Sequence, residues 1–321
     1  MGKSIKIACI IAGALLATGC LFGFVGLAAT GFDFTKLSTE KFTTQTHTVS
    51  EDFTSINIQK TTSDVHFALA ADNACKVECF ENVKTPHTVT VEGDELVIRA
   101  EDNRKWYDYI GIHFRQPKTT VYLPQTAYEN LVVNGSVSDI TLSKDFTFQN
   151  VQVQVDTGDV AIYAAVENSL SVKTSTGKIK IDGVHAQTLQ AQASTGDVDV
   201  KDCSAQNINI KTSTGDVDIN ESTAQSLTIK TTTGEVELER VIVEGDMRIT
   251  TDTGDVELSA CDGGALYIQT DTGDVEGTLL TTKIFLTQSD TGKIRVPQTT
   301  EGGRCEIKTD TGDIKISIFN P

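Results

Sequence analysis

Ile208-Asn209-Ile210-Lys211-Thr212-Ser213-Thr214-Gly215-Asp216-Val217-Asp218-Ile219 is two runs of alternating apolar and polar residues on either side of a Thr-Gly-Asp turn. Alternation is the period of a strand with one buried face. A sharp turn between such runs needs a residue at positive φ, which glycine adopts without a Cβ clash. The unit recurs along the chain. Thr-Gly pairs end at Gly158, Gly177, Gly196, Gly215, Gly234, Gly254, Gly273, Gly292 and Gly312, at intervals of 19 or 20 residues, and Ser138 takes the glycine place one interval earlier. These make ten copies from Leu131 to the C-terminus.

Aligned on the turn, the copies share their apolar positions. Seven residues before it stand Leu131, Val151, Leu170, Leu189, Ile208, Leu227, Met247, Leu266, Phe285 and Cys305. Two residues after it stand Ile140, Val160, Ile179, Val198, Val217, Val236, Val256, Val275, Ile294 and Ile314. No copy has a helical period, and none can bury its apolar face alone. The expected fold is therefore all-β: a parallel β-solenoid of 19–20-residue coils, each strand pairing with its equivalent about 4.8 Å away, in a rod on the order of 50 Å long. Thr174, Thr212, Thr231, Thr251, Thr270 and Thr309, three before the turn glycine, are expected to stack as a ladder.

Upstream the pattern loosens. Ile56, Ile58, Ser63-Asp64, Val65 and Phe67 repeat the coil once, and the strand-like runs between Cys75 and Pro124 fall off register. The reading is a polar stalk at 33–52, a β-rich cap with one degenerate coil at 53–130, and the ten-coil solenoid at 131–321. Residues 1–32 are an address. Ile7 to Phe32 carry no charge and follow Lys3 and Lys6, which suits a membrane-spanning helix with its N-terminus in the cytoplasm and the bulk of the chain outside. Ala17-Thr18-Gly19-Cys20 leaves cleavage or lipidation at Cys20 as the alternative. The apolar run continues past Cys20, which favours a retained single-pass anchor.

The chain has 44 acidic and 27 basic side chains, a formal charge of −17, which argues strongly against a nucleic-acid binder, since that role needs a basic face to neutralise phosphates. Much of the excess sits beside the turn glycine, at Asp139, Asp159, Asp197, Asp216, Glu235, Asp255, Asp274 and Asp313. Charges stacked 4.8 Å apart repel by roughly 0.9 kcal/mol per pair even in water. Two readings are open: each Asp caps its own turn, or the ladder attracts cations and cationic peptides. Trp106, Tyr107 and Tyr109, with His113 and Phe114, form the one aromatic cluster, either a plug for the end of the core or a recognition surface. Cys203 and Cys261 fall three coils apart, about 14 Å, beyond disulfide reach. With no Cys-x-x-Cys, the sequence points to no metal, and no motif points to a cofactor.

The whole extracytoplasmic chain resembles the DUF4097 family of candidate bacterial surface adhesins. The resemblance rests on Thr120-Val121-Tyr122-Leu123-Pro124, on Tyr128-Glu129-Asn130-Leu131 and on the series of Ser/Asp-Thr-Gly-Asp-Val turns. Asn103-Arg104-Lys105-Trp106-Tyr107-Asp108-Tyr109 and the N-terminal anchor are similar to membrane-anchored members from Firmicutes. Ser138 departs from the turn glycine, and Lys178 and Lys293 depart from the acidic residue after it. The resemblance implies a non-enzymatic adhesin or envelope scaffold at the surface of a bacterial cell, and it brings no catalytic motif. A polysaccharide-acting β-helix enzyme is the weaker reading, because near-invariant intervals leave no insertions from which to build a cleft. Expected partners are a surface polymer, protein or peptide. End-to-end self-association is a further expectation, since Ile316-Ser317-Ile318-Phe319 closes the sequence with no evident cap, and Lys308 and Lys315 stand there as gatekeepers.

Overall fold

The computed structural model describes residues 3–29, 31–32, 41–72, 74–109 and 115–319. Helix α1 (Lys3–Ala29) carries the apolar run. Its Ile5–Ala29 segment, of mean hydropathy 2.3, is long and apolar enough to cross a membrane. After α1 the regular structure is strand throughout the described residues, apart from one 3-10 turn at Trp106–Tyr109.

Every copy of the repeat places one strand in each of two sheets. The half before the turn joins a leading sheet, in which Leu170, Leu189, Ile208 and Leu227 pair in parallel, rung on rung. The half after the turn joins a trailing sheet, in which Val160, Ile179, Val198 and Val217 do the same. The chain is thus a parallel β-solenoid, as the alternation requires. Inward side chains of both sheets meet in one continuous aliphatic core, where each is worth roughly 1.5–3 kcal/mol on burial. A second corner follows six residues after the turn glycine. Gly183 occupies it in one coil, but Asp202, Glu221, Arg240 and Ala260 hold it in others at φ of 49° to 54°, a left-handed conformation that costs non-glycine residues about 1–2 kcal/mol.

The N-terminal end is built from β1 (Phe42–Val49), β2 (Ser55–Thr61), β3 (Asp64–Leu69), β4 (Cys75–Asn82), β5 (His87–Glu92), β6 (Glu95–Ala100) and β7 (Lys118–Leu123). Strands β2 and β3 form a coil directly against the first repeat, with Ile56 beside Leu131 and Val65 beside Ile140. Strands β6 and β7, later in the chain, stack outside them, with Leu96 beside Ile56 and Thr119 beside Val65. Antiparallel strands finish both sheets: β5 on β6, β4 on β7, and β1 on β4. The polar segment expected as a stalk is therefore part strand. Thr43, Thr46 and Thr48 suit an exposed edge, and pairing to β4 makes β1 the last strand of the trailing sheet; residues 33–40 lie outside the described residues.

At the far end the coils do not follow sequence order. Strand Gly303–Thr311 pairs directly with Val256–Thr272, bringing Cys305 beside Leu266. Strand Lys283–Ser289 pairs on the outer side of Gly303–Thr311. In the trailing sheet Ile314–Ile318 likewise lies between Val275–Leu279 and Ile294–Arg295. The last segment of the chain is the penultimate rung. The open edge expected at Ile316–Phe319 is formed instead by residues 283–295.

Two features fit this order. The outermost turn carries Lys293 where all but one of the others carry an acidic residue, so its amide can donate to the neighbouring Asp313 carboxylate but it has no carboxylate to offer a further rung. Lys283 is also buried, and its Nζ donates to the Gly263 carbonyl at 2.7 Å and lies 2.6 Å from Asp262 Oδ1. It reaches that strand across Gly303, its pairing partner, which has no side chain to block the path.

Candidate functional site

The turn column is built at backbone contact. Gly158, Gly177, Gly196, Gly215, Gly234, Gly254, Gly273 and Gly312 have φ between 136° and 157°. A Cβ on Gly254 would lie 2.0 Å from the Gly234 carbonyl oxygen, so glycine is required for space as well as for φ. Gly292 lacks the positive φ but stands closest of all, 1.7 Å from the Gly312 oxygen by the same measure. These glycines are structural.

The acidic residues beside them bond across coils. Asp159 Oδ1 accepts the Lys178 amide at 2.7 Å, Asp197 that of Asp216 at 3.1 Å, and Asp216 that of Glu235 at 2.9 Å. Asp255 serves Asp274 at 2.7 Å, Asp274 serves Asp313 at 2.7 Å, and Asp313 serves Lys293 at 2.8 Å. Each carboxylate caps the next turn rather than its own, and these bonds offset the stacking repulsion. The threonine ladder acts in parallel: Thr174, Thr212, Thr270 and Thr309 donate to the carbonyl of the turn glycine one rung before, at 3.0–3.3 Å.

A second acidic column, which the turn motif hid, lies three residues after the glycine on the outer face of the trailing sheet. Asp199, Asp218, Glu237, Glu257 and Glu276 are successive pairing partners. Lys178 bridges Asp199 at 2.8 Å and Lys315 bridges Glu276 at 2.9 Å. Between them Asp218, Glu237 and Glu257 have no ion pair within 4 Å among the described residues, and no backbone amide occupies them. Partial burial, then the charges of Asp199 and Glu237, raise the Asp218 carboxyl above its usual value. Glu237, Glu257 and Glu276 line a shallow groove with Leu258, Gly277 and Ser317.

The leading sheet has a different outer face. Lys173, Lys211, Lys230 and Lys308 stand in one column, separated by Gln192, Thr250 and Gln269. Beside it the Tyr267 ring lies 4.0 Å from the Arg248 guanidinium and 5.7 Å from that of Arg304. The trailing face is thus acidic between flanking lysines, whereas the leading face sets its lysine column beside the exposed acids Asp252, Asp271 and Asp310.

Within the aromatic cluster, Trp106 and Tyr107 do not plug the core. Trp106 is 77% exposed and Tyr107 49%, with ring centroids 5.8 Å apart. Tyr109 ends the 3-10 turn, and His113 and Phe114 lie outside the described residues. The end of the core is closed instead by Val77, Cys79, Leu96, Ile98 and Val121 from β4, β6 and β7.

Beneath the cap three polar residues meet. His87 Nδ1 is 2.7 Å from Glu81 Oε2, and His87 Nε2 is 3.2 Å from Ser63 Oγ. The wiring is that of a hydrolase triad, but Ser63 is wholly buried and no substrate carbonyl reaches it. Cys79 joins this group, its thiol pushed up to about 12 by burial and by Glu81. The Cys-x-x-Cys criterion passes over the group because it is assembled from alternate positions of β4 in one sheet and from the start of β5 in the other.

A family model described as Toastrack DUF4097 matches residues 53–242 and, in a second match, 228–320. No curated protein matches the chain. Among solved structures, a candidate adhesin from Parabacteroides distasonis is 12% identical, with 87% of this chain and 98% of that one covered at a TM-score of 0.49. A candidate adhesin from Bacteroides fragilis is 14% identical, with 87% and 99% covered at a TM-score of 0.39. A candidate lipid-binding protein from Parabacteroides distasonis is 15% identical, with 87% and 98% covered at a TM-score of 0.43. Likeness at this level carries no argument about what the present chain binds.

Proposed function

Since the chain belongs to the Toastrack DUF4097 family, we propose that it is a non-enzymatic interaction module of the cell surface, held to the membrane by α1, that binds cationic groups on the acidic face of its trailing sheet. One observation carries this reading: Asp218, Glu237 and Glu257 stand rung on rung with neither the backbone bonds that occupy the turn column nor, among the described residues, an ion pair within 4 Å. Uncompensated like charges at this spacing are a standing cost. A partner bearing ammonium or guanidinium groups at a similar spacing relieves that cost and gains a charge-assisted bond at each rung. Lys3 and Lys6 orient α1 with the solenoid outside the cytoplasm. The test compares cells displaying the chain with cells displaying Asp218→Asn/Glu237→Gln/Glu257→Gln on surfaces coated with a cationic polymer. Adhesion should fall in the variant; equal adhesion refutes the assignment to this face.

The lysine column of the leading sheet favours a second reading, in which the cationic partner is another copy lying alongside. Both columns repeat at the spacing of the coils, so two parallel solenoids bring acids and lysines into step. Sedimentation of the purified chain at low salt then shows oligomers that Lys173→Gln/Lys211→Gln/Lys230→Gln dissolves. A monomer under those conditions removes this reading and leaves the first.

A further inference from the structure

We propose that Cys79, Glu81 and His87 form a binding site for a zinc-class divalent cation that fastens the N-terminal cap to the first turn of the solenoid. One ligand atom from each, a thiol sulfur, a carboxylate oxygen and a ring nitrogen, lie within 4.8 Å of one another. The three residues are 0%, 2% and 6% exposed. Cys79 and Glu81 are alternate residues of β4 and share its inward face, while His87 begins β5 across a short turn. A fourth polar atom faces the same space. Thr119 pairs directly with Cys79 across β4 and β7; its buried Oγ1 meets no other donor or acceptor at bonding distance and is placed to hold the Cys79 thiolate.

The donor set decides the metal. A thiolate with an imidazole and a carboxylate suits zinc and its neighbours, whereas magnesium and calcium take oxygen-only shells. The charges also balance, since one thiolate and one carboxylate cancel a divalent ion inside a core that tolerates no net charge. Binding at Nδ1 moves the ring proton to Nε2, where Ser63 Oγ stands ready at 3.2 Å to accept it. A metal-bound histidine usually donates its other ring N–H in this way. The Cys79 thiol gives up its proton, so at least one proton is released per ion. Zinc bonds of about 2.1 Å at a tetrahedral angle need the Nδ1 to Oε2 distance to open to about 3.4 Å from its present 2.7 Å, which a side-chain rotation of Glu81 supplies at the expense of the bond that Oε2 accepts from the His87 amide at 2.8 Å.

The consequence is mechanical. Ser63 is the first position of the turn column, and Ser138 Oγ donates to the Thr61 carbonyl beside it. An ion held by β4 and β5, which belong to different sheets, and backed by Ser63 therefore ties both capping strands to the first coil. The experiment titrates the reduced full-length chain, with Cys9→Ser and Cys20→Ser to silence the helix thiols, with Co²⁺ and then with Zn²⁺. The expected result is a thiolate-to-cobalt absorption band that saturates at one ion per chain, is displaced by Zn²⁺, releases protons in weak buffer, raises the melting temperature, and vanishes in Cys79→Ser. Absence of the band in the folded parent chain overturns the proposal without any variant. A band that persists in folded Cys79→Ser overturns it equally, by placing the ion on another thiol.

Discussion

The backbone amide of Asp313 donates to Oδ1 of Asp274, 39 residues earlier, at 2.7 Å. In a solenoid wound in sequence order that amide belongs against the rung one repeat back, at Lys293. Instead Lys293 donates to Asp313, and residues 283–295 form the outermost rung. Amide exchange reads this order directly, because edge strands open locally while internal ones exchange only with larger openings. Amides of 305–311 should exchange more slowly than those of 284–289. The reverse ranking contradicts the inserted order. Lys283→Ala, which leaves Asp262 without its buried cation, should cost about 3 kcal/mol in a denaturant melt and speed exchange at 284–289 further.

Two glycine substitutions should move stability in opposite directions. Gly254→Ala drives a methyl into the Gly234 carbonyl at 2.0 Å and should lower stability by more than about 3 kcal/mol, or prevent folding. Ala260→Gly, six residues on, removes a Cβ from a backbone at φ 52° and should raise it by up to about 1 kcal/mol. Urea denaturation measures both. A neutral Gly254→Ala contradicts the close approach of the turns.

The turn carboxylates act as hydrogen-bond acceptors, so removing the acceptor should matter more than removing the charge. Asp216→Asn keeps an oxygen for the Glu235 amide, now held at 2.9 Å, and should change stability little. Asp216→Ala should cost about 1 kcal/mol. Equal losses in the two variants, measured by thermal melting, indicate that charge rather than acceptance is at work.

Acidity should stabilise the fold over a limited window. The Asp218 carboxyl is raised by partial burial, then by Asp199 and Glu237, and the Glu235 carboxyl by burial, then by Glu257 and Asp216. A carboxyl raised in the folded state binds its proton there first, so its cost is full at neutral pH and is relieved as pH falls through the raised value. Stability should therefore rise from neutral pH toward the ordinary carboxylate values of 3.8 and 4.5. Glu306 works the other way, since hydrogen bonds from Lys308 and Arg304 lower its carboxyl; its contribution is lost only below that window. Asp218→Asn should raise stability at neutral pH and flatten the slope.

The solenoid was legible because its determinants are local and repeated. Leu189 and Val198 declare the inward faces of their strands by alternation, and Gly196 marks the turn between them. Register follows from the period alone. The order of the last two coils was harder to read, because an insertion costs the chain no change of pattern. Its signals are Lys293 in an acidic column and Gly302-Gly303 in the link, and both acquire meaning only when Lys283 is seen reaching across Gly303. The second corner left no signal, since Asp202, Glu221, Arg240 and Ala260 share a backbone conformation and no chemistry. The acidic face was concealed by its own turn motif. Asp216 and Asp218 are two residues apart, yet the first is committed to a backbone amide and the second, partly buried on the outer face of the trailing sheet, is not. The Cys79–Glu81–His87 group depends on a chain crossing from β4 in one sheet to β5 in the other, which no spacing rule announces.

The central claim is that Asp218, Glu237 and Glu257 form a cation-binding face, and calorimetric titration of the full chain with an oligolysine peptide tests it most directly. Binding should weaken steeply with salt, should fall at least tenfold in Asp218→Asn/Glu237→Gln/Glu257→Gln, and should be unchanged in Asp252→Asn/Asp271→Asn, which removes exposed acids elsewhere. Equal loss in the two variants means that net charge rather than this face attracts the peptide. That result, or no binding at low salt, contradicts the account.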